Sequence, residues 1–133
     1  MAVLSKEQFE FLERLFYDAP ALSRVVQELR SAAITAAEQS ADPTARQAVV
    51  GIAELPEAMG YKRPEAWLQV VDATWNKYQG SPAGKAMYRR YIRQEIWTRT
   101  CMALFISDHT YYNMRKEFIL SAALIAANKG LKF

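Results

Sequence analysis

The sequence predicts an all-α fold, and three features carry that reading. Ala, Leu, Glu, Arg and Gln, which favour helix, are plentiful. Stretches that alternate β-branched and polar residues are absent, and apolar residues instead recur at helical spacing between Pro and Gly stops. At 133 residues and 51% hydrophobic, the chain can also bury a core of its own.

Each element has its own start or stop. Ser5 and Gln8 form a capping-box signature, after which Phe9, Leu12, Leu15 and Phe16 repeat on a helical face. This helix is expected to end near Asp18, before Pro20. A second is expected from about Leu22 to Gln39, with Leu22, Val25, Val26, Leu29, Ala33 and Ala36 together. Asp42-Pro43 opens a third, reaching about Glu54. "LPEAMGYKRPEAW" reads as loop, with helix resuming near Pro64 and turning Trp67, Val70, Val71 and Trp75 inward. Ser81-Pro82 starts another, with Met87, Tyr88, Tyr91 and Ile92 apolar. Two more follow, Trp97–Leu104 and Asp108–Ala127, separated by Phe105, Ile106 and Ser107. The whole is expected to be an N-terminal helical bundle, residues 1–80, followed by a C-terminal helix-turn-helix region, 81–133.

Several chemistries lose their footing at this level. Cys101 and His109 are the sole cysteine and histidine, too few for a structural zinc site and unable to form an internal disulfide. No metal, cofactor or catalytic residue is expected. Glu7, Glu10 and Glu13 read as a solvent side of the first helix, with no partner that would make an acid–base pair. "GSPAGK" resembles a phosphate-binding loop, but its glycines are one residue too close and Ala86 replaces the magnesium-binding hydroxyl. It reads as an interhelix turn. No apolar run is long enough for a membrane span, and no secretory signal opens the chain, so a cytoplasmic location in the host cell is expected.

The net charge of +3 conceals a division. Residues 1–82 carry eight Lys and Arg against eleven Asp and Glu, whereas residues 83–133 carry nine against three. A basic end of this kind suits a polyanion, although a solvated basic face would have the same composition. "IWTRTCMALFISDHTYYNMRKEFI" fits a helix-turn-helix. Trp97, Thr100, Cys101 and Leu104 would form the inner face of a supporting helix. Ile106 would plug the turn and Ser107 cap the next helix. At 100° per residue, Tyr111, Met114, Phe118, Ala122 and Ile125 share one face. His109, Asn113 and Lys116 fall opposite, bordered by Thr110 and Tyr112, while Leu120 continues their line. Such hydroxyl and amide groups can read base edges and cations can hold phosphates. Double-stranded DNA is therefore expected to meet Ser107, His109, Thr110, Tyr112, Asn113, Arg115 and Lys116, with Arg89, Arg90, Arg93 and Arg99 along the backbone.

"YRRYI" (Tyr88–Ile92), Trp97 and "ISDHTYYNMRKEFI" together resemble the C-terminal helix-turn-helix of the ArpU/RinA-type phage late-gene regulators, whose DNA-binding unit is similar to region 4 of sigma factors. The resemblance spans Tyr88 to Ala122 and departs at Thr100, a position usually aliphatic in that family. It implies a non-enzymatic, sequence-specific regulator of transcription, an activator of phage or prophage late genes. RNA polymerase and a second copy of the chain would be further candidate partners. Two other readings stay open: a phage DNA-packaging protein of the small-terminase kind, and a helical protein-interaction module with no nucleic-acid role.

Overall fold

A computed structural model describes residues 4–39 and 55–133. Those residues form five helices and one small hairpin: α1 (Lys6–Glu38), β1 (Glu57–Ala58), β2 (Tyr61–Lys62), α2 (Pro64–Lys77), α3 (Pro82–Tyr91), α4 (Trp97–Leu104) and α5 (Asp108–Asn128). The all-α class therefore holds. The helix expected over 42–54 lies outside the described residues.

Two compact units are present, Met1–Asp18 with Gln69–Phe133, and Ala19–Leu68. The opening turns of α1 thereby belong with the C-terminal helices. The capping box forms as read: Ser5 Oγ accepts from Gln8 N at 3.1 Å, and Gln8 Oε1 accepts from Ser5 N at 3.0 Å. The expected break at Pro20 does not occur, and α1 runs through it. Proline forfeits one backbone hydrogen bond and costs about 3 kcal/mol in a helix interior. Continuing the helix keeps Ala19, Leu22 and Val26 buried, which offsets that cost.

In the Ala19–Leu68 unit, the stretch read as loop contains the hairpin, with Glu57 opposite Lys62 and Ala58 opposite Tyr61. Met59 and Gly60 both have positive φ, 52° and 83°, as a tight two-residue hairpin turn requires. Two-residue strands leave no alternation to detect in sequence. Tyr61 and Trp67 are buried in this unit, and Arg30 Nη1 pairs with Glu65 Oε1 at 2.6 Å.

In the other unit, α3, α4 and α5 pack on one another. Ser81 caps α3 by accepting from Gly84 N at 3.0 Å. A Cβ at Gly84 would collide with the Tyr78 carbonyl, so this glycine serves close packing and not phosphate binding. Of the four apolar residues expected inward on α3, only Met87 and Tyr91 are buried; Tyr88 is 51% and Ile92 37% exposed. The two pairs lie about 100° apart around the helix, and only one can face the core. Val70, Val71 and Trp75 of α2 turn inward as expected, Trp75 half-buried. The core centres on Phe118, whose ring lies 4.9 Å from Phe16, 4.8 Å from Trp75, 5.3 Å from Tyr78 and 5.9 Å from Tyr91, centroid to centroid.

Trp97, expected inside, is 44% exposed. It is the first residue of α4, so no further turn covers it, and the sealed positions are Thr100 and Cys101. Phe118→Ala should therefore cost about 3–5 kcal/mol, and Trp97→Ala no more than about 1 kcal/mol. Urea unfolding of the two variants checks this; equal losses would put the core in the wrong place.

Candidate nucleic-acid interface

Local chemistry sets the start of α5. Phe105 closes α4 in the left-handed region, φ 55°, where a helix end is usually satisfied by glycine. Ile106 N then donates to Cys101 O at 3.1 Å. Ser107 Oγ accepts from Thr110 N at 3.0 Å and lies 2.9 Å from Thr110 Oγ1. The Ser107 hydroxyl thus serves the cap, and Asp108 adds a carboxylate to the positive first turn. Cys101 is buried under this turn, its Sγ 3.8 Å from Ser107 O; burial first, then the charge of Asp108, pushes its thiol pKa up. It has the character of a packing residue and not of a nucleophile.

Along α5 the two faces separate as the spacing predicts. Tyr111, Phe118 and Ala122 are buried, with Met114 and Ile125 half-buried on their line. His109, Thr110, Tyr112, Asn113 and Lys116 are all exposed. The His109 ring Nε2 and the Asn113 amide nitrogen are 3.2 Å apart, and Lys116 Nζ lies 5.1 Å from the centre of the Tyr112 ring. Leu120 and Leu124 extend the exposed stripe as apolar positions.

The arginines divide into two groups. Arg99 is exposed, and Arg93 is 54% exposed, its Nη2 3.9 Å from Glu95 Oε2. Arg89 Nη1 binds Glu95 Oε1 at 3.0 Å, and Thr100 Oγ1 donates to the same oxygen at 2.9 Å. Thr100 is therefore buried with its hydroxyl satisfied. The Thr100 hydrogen bond, followed by those from Arg89, holds the Glu95 carboxyl below its ordinary pKa against burial.

Arg90 and Arg115 turn the other way, to Glu13. This carboxylate, expected in solvent, is nearly buried. Its Oε2 accepts from Tyr91 Oη at 2.7 Å, Arg115 Nε at 2.8 Å and Arg90 Nε at 3.1 Å, while Arg115 Nη2 donates to Oε1. Arg90 Nη1 also donates to Tyr111 Oη at 3.2 Å. Burial alone would raise the Glu13 pKa; the hydrogen bonds of Arg115 and Tyr91, with the charges of Arg90 and Arg115, outweigh it and lower it. Tyr91 is pushed strongly upward by burial and by Glu13, and stays protonated as the donor. The signal was present in the sequence, because Glu13 follows Phe9 by four residues and precedes Phe16 by three, which places it on the apolar stripe.

Beside the first turn of α5 lies an open groove of about 450 Å³, lined by Trp97, His109, Tyr112 and the Arg90–Arg115 cluster. Among the described residues no group of three or more His, Cys, Asp or Glu is placed to hold a metal, and no helix is long and apolar enough to cross a membrane. No family model, curated protein or solved structure matches this chain.

Removing the Glu13 charge leaves two guanidiniums facing each other in a mostly dry site. Glu13→Gln should destabilise by about 2–4 kcal/mol, below the upper range for buried pairs because both arginines keep some access to water. The folded pKa of Glu13 lies below its ordinary 4.5, so its contribution is full above that value and is lost as pH falls through the folded pKa. The urea stability gap between parent and Glu13→Gln should accordingly stay constant above about pH 5 and shrink as the pH falls from there toward about pH 3. A gap independent of pH would show that Glu13 is not an ionised partner.

Proposed function

We propose that this protein binds duplex DNA with α4, the turn Phe105–Ser107 and α5 acting as a helix-turn-helix, and that it regulates transcription. The observation that carries the reading is the exposed stripe of α5. Its first two turns carry an imidazole, an amide, hydroxyls and an ammonium, on a helix whose opposite face is sealed by Tyr111 and Phe118. Asn113 can offer a paired donor and acceptor to an adenine edge once it leaves His109. Lys116 and Arg99, exposed cations, meet phosphates. The basic charge of residues 83–133 draws the helix toward DNA. Activation of phage late genes, in contact with RNA polymerase, is the role that the resemblance to ArpU/RinA-type regulators adds.

Two substitutions separate base reading from phosphate binding. Asn113→Ala should weaken a preferred duplex by roughly 1–3 kcal/mol while leaving a scrambled duplex and the melting temperature nearly unchanged. Lys116→Ala should weaken both duplexes alike and lower the slope of log affinity against log salt by about one. Titration of both duplexes at several salt concentrations measures this. Equal losses for Asn113→Ala on the two duplexes, or a parent affinity insensitive to salt, would refute the assignment.

A further inference from the structure

A second concave surface lies between the end of α2, the outer side of α3 and the end of α4. It encloses about 630 Å³, within the range of ligand and peptide clefts. Its apolar lining is Trp75, Tyr88, Ile92 and Leu104. Tyr88 and Ile92 are the two α3 residues that the core does not cover. Singly exposed apolar residues are ordinary, but here they adjoin half-buried Trp75 and Leu104 in one depression. Lys85, Arg89 and Arg93 also line it, and no Asp or Glu does. Arg89 is held by Glu95, whereas Lys85 is exposed and Arg93 only loosely approaches that carboxylate.

We propose that this groove docks an acidic amphipathic helix of a partner protein. The apolar lining accepts residues at i, i+3, i+4 and i+7, and the cations answer carboxylates flanking them. Charge complementarity selects this occupant. A duplex would satisfy the cations but leave the apolar depression unfilled, since its bases are stacked and its backbone is hydrated. Self-association of this end is opposed by its own excess of Lys and Arg. The groove uses none of the exposed stripe of α5, and shares with the expected DNA backbone contacts only Arg89 and Arg93.

The test uses the full chain and a panel of synthetic helical peptides of about four turns. One set carries Leu and Phe at the anchor spacing with flanking Glu. A second replaces Glu by Lys, and a third replaces the apolar anchors by Ser. Fluorescence anisotropy should show saturable binding for the first set alone, with amide shifts at Gly80 and Gly84 and a shift of the Trp75 indole. Ile92→Glu and Lys85→Glu, at exposed positions that should not disturb melting, should each weaken binding about tenfold or more. Lys116→Ala should leave it unchanged. Absence of saturable binding across the panel, equal affinity for the Lys peptides, or indifference to both groove variants overturns the proposal. So does displacement by a duplex whose own affinity falls in Ile92→Glu, which would make the groove part of a DNA surface.

Discussion

The Glu13 carboxylate accepts hydrogen bonds from Tyr91 and Arg90 on α3 and from Arg115 on α5, so three helices meet on one charge. Its geometry is demanding. A carboxylate this dry is tolerated only if its lone pairs are filled, and Tyr91 and the two guanidiniums fill them. The rings of Phe16, Tyr91 and Phe118 cluster in space, and such aromatic packing adds about 0.5–1.5 kcal/mol per pair beyond burial. The apolar cluster supplies most of the stability, while the ion cluster sets the rotation of α5 about its axis.

That rotation matters for the surface. Arg115 leans inward to Glu13, Tyr111 is tied through Arg90, and of the three residues between them Tyr112 and Asn113 are left facing out while Met114 is half-buried. A turn of α5 by one residue would swing about 100° and bring Tyr112 or Met114 to the position of Asn113. The cap at Ser107 fixes where the helix begins, and Glu13 fixes which way it faces. Farther along α5, Ser121 Oγ lies 2.6 Å from Tyr78 Oη and accepts from Lys77 Nζ at 3.1 Å, a second polar tie that secures the helix against the end of α2. The same arrangement explains why Arg90 and Arg115, both attractive as phosphate contacts on charge alone, are engaged within the fold.

Features set by neighbours in the chain were legible from the sequence. The caps at Ser5 and Ser107 depend on residues three positions away and form as read, and Ser81, read as the start of a helix, caps it in the same way. The buried line of α5 follows from a helical period that holds over about four turns, from Tyr111 to Ile125. What escaped depends on residues far apart in the chain. Proline in a helix is costly locally, and only the burial of Leu22 and Val26 beyond it lets α1 continue. Glu13 reads as solvent-facing until Arg90 and Arg115 arrive from 77 and 102 residues away. Thr100, beside Cys101, is sealed on α4 where Trp97 is not, and Glu95 is there to take its hydroxyl. The position of Glu13 on the apolar stripe was nevertheless a usable sign. A charge repeated in phase with buried residues asks for a partner.

The fold therefore presents, on a helix held from behind, a short exposed row of hydrogen-bonding side chains flanked by cations. The most direct measurement is selection from a random duplex library by the purified chain at moderate salt. Recognition through the first two turns of α5 predicts recovery of a short shared motif, of the few base pairs that one helix can span in the major groove. Recovered duplexes with no common motif, or no retention of duplex at all, would contradict it.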